Sequence, residues 1–166
     1  DAVVVATQAT HAANLLDGLV DTTSLTGFEY EPLTTCYLQY GPETRLTQAL
    51  FALIDDPAAE RWGQFVFDRG TLDPAHAGLL AVVISASTDA IALGHDALAA
   101  AVANQLSDVL QLPDLRRPKW AKVISEKRAT FSCTPALVRP VNRTTCDGLV
   151  IAGDYTDGDY PATLES

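Results

Sequence analysis

The sequence predicts an α+β protein: a largely antiparallel sheet with a packed helix, plus terminal strand–helix pieces of an α/β layer. Three observations predict it. Two short apolar runs, AVVVAT at residues 2–7 and LVIA at 149–152, lie near the two ends, each followed by a helix start. Between them the pattern shifts to short strands with tight links. Residues 96–110 carry an apolar stripe at helical spacing.

The elements follow in order. Residues 2–7 are β-branched and continuous, as in a strand buried on both faces. Residues 8–18 follow at helical spacing, with Ala9, Ala12, Ala13, Leu15 and Leu16 on one broad face and Gly18 as the stop. Residues 21–27 are a polar, Gly-containing linker. Residues 35–40 alternate as a half-buried strand that Gly41-Pro42 ends. Residues 50–54, 62–68 and 79–86 are three further strands, with turns at Asp55-Asp56-Pro57 and Arg69-Gly70. Four strands with short links describe an antiparallel meander. In residues 96–110, Leu98, Val102, Leu106, Val109 and Leu110 form a stripe for packing on that sheet. Residues 119–131 are a long polar-rich strand, and 132–148 are irregular, with Pro135 and Pro140. Residues 149–152 are the last strand, and Pro161 is placed to start a helix. The economical organisation has two lobes, one from residues 1–20 and 148–166, the other from 21–147.

Composition narrows the possible functions. Net charge is −10 over 166 residues, which argues against a nucleic-acid partner. Hydrophobic residues make up 48%, enough for a core, yet no run approaches the roughly 18 apolar residues of a membrane span. Cys36, Cys133 and Cys146 are odd in number and form no C-x-x-C, so they read as reduced, mostly buried thiols of a cytoplasmic protein. His11, His76 and His95 lack metal-ligand spacing. Eight of the eleven basic residues fall in 116–143, against the single acid Glu126. They read as a solvated strand face or as a basic rim for a phosphate or acidic surface.

The chemistry concentrates at the end, in LVIAGDYTDGDYPATLES. Strand, glycine, carboxylate, loop and helix start make a corner for a polar ligand, with Asp154 just off the strand end. A carboxylate there accepts hydrogen bonds from ligand hydroxyls such as those of a ribose or ribitol. Asp157 and Asp159 read as a solvated acidic loop, because D-x-x-D-G-D departs from the calcium-loop spacing. There is no G-x-S-x-G, S-x-x-K, H-E-x-x-H, P-loop or G-x-G-x-x-G. Any catalysis therefore needs a cofactor.

AGDYT at residues 152–156 followed by DYPATLES at 159–166 resembles the C-terminal signature of the amine oxidase and phytoene desaturase flavoproteins. The branch it most resembles is the squalene-associated FAD-dependent desaturases, or hydroxysqualene dehydroxylases. FVFDRG at 65–70, LLAVVISAS at 79–87, EKRATFSCTPALVRP at 126–140 and DAVVVAT at 1–7 extend the resemblance, in order, over essentially the whole chain. It implies FAD as cofactor, the terminal lobe as part of an FAD-binding layer, and a longer parent enzyme. The family's G-x-G-x-x-G is absent here, so the resemblance implies an incomplete FAD site, a missing N-terminal dinucleotide-binding half and an inactive 166-residue piece. Gly153 and Asp154 match the motif that contacts the FAD sugar chain or pyrophosphate. Ala162, Thr163 and Leu164 match the helix start near the flavin ring, and Val5 and Ala6 match the strand end beside it. The implied substrate is an apolar isoprenoid such as a squalene precursor, with Phe65, Phe67, Trp120 and Phe131 lining its tunnel, and a peripheral membrane contact. The alternative is a cofactor-free domain that binds an apolar ligand or a protein partner.

Overall fold

The computed structural model describes residues 1–163. In chain order the elements are β1 (Val3–Val5), α1 (Ala9–Leu16), α2 (Thr23–Thr26), β2 (Tyr30–Gln39), β3 (Leu50–Ala52), β4 (Phe65–Asp68), α3 (Arg69–Leu72), β5 (Leu79–Ser85), α4 (Thr88–Ala92), α5 (His95–Leu110), β6 (Trp120–Phe131) and β7 (Leu149–Ile151). They divide into two compact units. One combines residues 1–30 with the chain from Thr130 onward, and the other is Glu31–Ala129. The boundaries thus differ from the sequence reading. Residues 21–30 and 130–147 fold with the terminal segments because Leu25, Phe28 and Phe131 share a core with α1 and Ile151.

In the terminal unit, β1 and β7 pair in parallel, Val3 opposite Leu149 and Val5 opposite Ile151. Gly148 makes this possible. Its φ is +74°, and a Cβ there would lie 2.9 Å from the Asp1 carbonyl oxygen. The α1 helix buries Ala9, Ala12, Ala13 and Leu16, and Leu15 points outward at 62% exposure. Gly18, in the left-handed region at φ +75°, lies just past the helix end.

The inserted unit is a five-stranded sheet in the order β3-β4-β5-β2-β6, with antiparallel pairing across β3, β4, β5 and β2. One face packs on α5. Cys36, Leu38, Val66, Leu80 and Val82 meet Leu98, Val102 and Leu106, and all eight are fully buried at 0% exposure. Two buried polar side chains tie distant segments to this layer. The Gln105 amide accepts from Gly63 N–H at 2.7 Å and donates to Gly63 O at 2.9 Å and Ile54 O at 3.2 Å. The Asp68 carboxylate accepts from Leu46 N–H at 2.9 Å and caps α3 by accepting from Thr71 N–H at 3.1 Å. Val109 departs from the predicted stripe, at 45% exposure, while Ala99 and Ala103 are buried. The contact face of α5 is therefore centred on Val102 and its alanines.

Candidate functional site

The C-terminal ends of β1 and β7 lie side by side. Ala152 N–H donates to Val5 O at 3.0 Å, which brings Val5 and the exposed Ala6 beside Gly153 and Asp154. Beyond them residues 154–162 form a closed loop, because Ala162 N–H donates to Asp154 O at 3.0 Å. Thr156 reinforces the turn, with its N–H and hydroxyl both on Gly153 O, at 3.0 and 2.8 Å. Arg139 clamps the loop from outside. Its guanidinium donates to Thr156 O at 2.7 Å and to Gly158 O, and it pairs with Asp157 at 3.6 Å. So Arg139, and Arg116 bonded to Asp108 at 2.6 Å, serve internal contacts. The basic run is less of an open rim than the sequence suggests.

The predicted helix start is not helical where it is described. Pro161 to Thr163 form a turn, and Ala162 sits at φ +59°, a left-handed conformation that an α-helix interior excludes. The Ala162 N–H is committed to Asp154 O, and Thr163 donates its hydroxyl to Tyr160 O at 3.0 Å. Leu164 lies outside the described residues.

Two polar groups at this corner have no partner among the described residues. The half-buried Asp154 side chain makes no hydrogen bond or ion pair there. The Tyr155 hydroxyl is buried and unbonded. Its ring folds back over Gly153, where a Cβ would lie 2.4 Å from Tyr155 Cε1. Glycine is thus required for this packing. Burial holds the Tyr155 phenol above its ordinary pKa, with smaller contributions from the Asp154 charge and Tyr30. The corner therefore offers a carboxylate acceptor, which fits a ligand carrying hydroxyl groups, while the phenol stays enclosed in the core.

In the inserted unit, the sheet face opposite α5 is apolar and open. Cross-strand register places Leu50, Phe67, Ala81 and Tyr37 in one row, and Ala52, Phe65, Val83 and Thr35 in the next. Trp120 belongs to this face. The Ser125 hydroxyl bonds Thr34 on the packed side at 2.8 Å, and a residue five positions away in the same strand points to the other side. Leu50, Phe65 and Trp120 are 50%, 44% and 48% exposed. Three of the four predicted lining residues thus share one surface. Phe131 does not. It is 3% exposed in the terminal unit's core, 5.1 Å from the Phe28 ring. Tyr37, Arg139 and Tyr155 were not singled out from sequence. The alternation of residues 35–40 could have found Tyr37, but nothing local marks the other two.

A parallel strand pair with a glycine and a carboxylate just past the strand ends is the local arrangement at which open α/β sheets bind ligands. The chain belongs to the flavin-containing amine oxidoreductase family, whose model matches residues 1–166. It is 31% identical over 167 residues to a hydroxysqualene dehydroxylase of Rhodopseudomonas palustris, covering 99% of this chain and 35% of that protein. A second hydroxysqualene dehydroxylase, from Sinorhizobium fredii, is 44% identical over 50 residues, 29% of this chain and 12% of its own length. A solved structure described as a protoporphyrinogen oxidase from Exiguobacterium sp. 255-15 shares the fold. Its TM-score is 0.63 at 14% identity, over 95% of this chain and 37% of that one. The chain spans about a third of the length of the curated relative it matches end to end.

Proposed function

We propose that this chain is the substrate-binding, C-terminal portion of an FAD-dependent oxidoreductase acting on an apolar isoprenoid of the squalene-precursor class. The observation that carries the proposal is the open sheet face, where Phe65, Phe67, Tyr37 and Trp120 form an apolar wall with no covering element in their own unit. Surfaces this apolar mark ligand or partner sites. The amine oxidoreductase match and the hydroxysqualene dehydroxylase relatives support the same reading.

Replacing a C–OH by C–H needs a hydride, which a reduced flavin supplies when bound, and a proton for the departing hydroxide. The residues of this chain contribute binding and exclusion. Gly153 makes room for the Tyr155 ring at the strand ends, and Asp154 accepts from the ligand's hydroxyls. The aromatic wall holds the hydrocarbon and keeps water from the reacting carbon. Because G-x-G-x-x-G is absent from the chain, the proposal has the ADP half of FAD held by residues outside it. A substrate of this class resides in lipid. A peripheral membrane contact, with exposed Ile124 and Lys122 beside Trp120 on β6, belongs to the same proposal.

The test uses the longest reading frame that contains this chain. Asp154→Ala is expected to weaken FAD binding by roughly 1.5–3 kcal/mol, the worth of a charge-assisted hydrogen bond. Phe67→Asp is expected to raise KM for a squalene-type allylic alcohol while flavin content stays unchanged. Wild-type KM in Phe67→Asp would remove the sheet face from the substrate site.

A further inference from the structure

The edge of the inserted sheet carries a charge opposite to that of the chain as a whole. β6 is an outermost strand, with β2 as its neighbour in the sheet. Arg117, Lys119, Lys122 and Lys127 are exposed along it, and none of their side chains makes a hydrogen bond or ion pair among the described residues. The net charge of the chain is −10, so these cations are a local reversal. Charges more than about 8 Å away are largely screened at physiological ionic strength, so the local cations govern what this edge meets. Among them stand Trp120 and Ile124, 48% and 49% exposed, at the same strand parity as Lys122.

Three simpler readings account for less. Lysines on an edge strand keep it from pairing with another chain, but that role needs charge of either sign and gives no place to a half-exposed tryptophan and isoleucine. A single small anion is a poor match, because Lys119 to Lys127 spans about 26 Å of extended strand. A nucleic acid would meet the cations but offers Ile124 no apolar phase. Cations set around an aromatic and an aliphatic side chain match a membrane interface, where lysine and arginine stay with the headgroups and the apolar groups reach the acyl boundary.

We infer that the β6 edge docks on an anionic lipid surface, with Trp120 and Ile124 at the acyl boundary and Arg117, Lys119, Lys122 and Lys127 on the headgroups. The inference rests on the membrane contact of the proposed function and deepens it by naming the partner. In this orientation the apolar sheet face, to which Trp120 belongs, opens toward the phase that holds a hydrocarbon substrate.

The experiment sediments the product of the longest reading frame with vesicles of phosphatidylcholine alone, and of equimolar phosphatidylcholine and phosphatidylglycerol. Wild type is expected to bind the mixed vesicles, to leave the neutral ones in large excess, and to be released in about 1 M salt, where the screening length falls to about 3 Å. The triple variant Lys119→Glu, Lys122→Glu and Lys127→Glu keeps the edge charged against strand pairing. Its partition onto mixed vesicles is expected to fall roughly a hundredfold, since each cation near an anionic surface is worth about fivefold. Equal binding to the two vesicle types, binding to neither, or an unchanged partition of a folded triple variant overturns the inference. The wild-type comparison decides alone if the variant does not fold. Vesicle binding is read without flavin or substrate. If wild type holds FAD and Phe67→Asp raises KM but no vesicle is bound, the proposed oxidoreductase stands and this inference alone falls. If mixed vesicles are bound and no flavin is found, the lipid surface stands and the oxidoreductase reading falls.

Discussion

The two faces of the five-stranded sheet are built by the same strands and from similarly apolar residues, yet they differ in what covers them. On one face, Cys36, Leu38, Val66, Leu80 and Val82 are sealed under α5. On the other, Leu50, Phe65 and Trp120 remain about half exposed. Chain economy would make the second face polar, as half-solvated antiparallel sheets usually are. On the proposed reading its aromatic rows are kept for a ligand or partner supplied from outside this unit, while the covered face holds the fold.

The largest expected effect lies under the helix. Leu106→Ala should cost about 3–5 kcal/mol in a denaturant titration, since Leu106 is fully buried and its cavity cannot collapse easily between α5 and the sheet. Gln105→Ala should cost about 1–3 kcal/mol, because it orphans the buried N–H of Gly63, 2.7 Å from the amide oxygen. On the open face, Phe67→Gln should change stability by under about 1 kcal/mol while weakening binding of a squalene-type probe. A loss there as large as that of Leu106→Ala would erase the distinction between the faces.

The smallest effect is a titration. Burial pushes the Cys36 thiol from 9.0 to about 12, whereas Cys133 and Cys146 are exposed. A thiol reagent at pH 8 should modify two cysteines in the native chain and the third only on unfolding. The folded pKa lies above the unfolded one. The stability linked to Cys36 is therefore complete below pH 9 and declines as pH rises from there towards 12.

Much of the fold is legible because it is written in local periodicity. The alternation around Cys36 and Leu38, the run at residues 79–86 and the stripe of α5 each specify a face before any tertiary contact is known. The corner at Gly153 and Asp154 is legible for the same reason, as a glycine and a carboxylate at a strand end. What escapes the sequence is set by contacts across the chain. Arg139 reads as one more cation in a basic run until its hydrogen bonds to the 156–158 loop are seen. Phe131 reads as a lining aromatic because its strand continues from Trp120, yet its end of the strand enters another core. Leu46, held by Asp68 from 22 positions away, follows no periodic pattern at all.

The central claim is that this chain completes a flavin site. The most direct measurement expresses the longest reading frame that contains it, records the absorption spectrum of the purified protein, and identifies any cofactor released on denaturation. The account predicts a yellow protein that releases FAD. A colourless, folded product that releases no flavin would contradict it and leave the open sheet face to a cofactor-free binding domain.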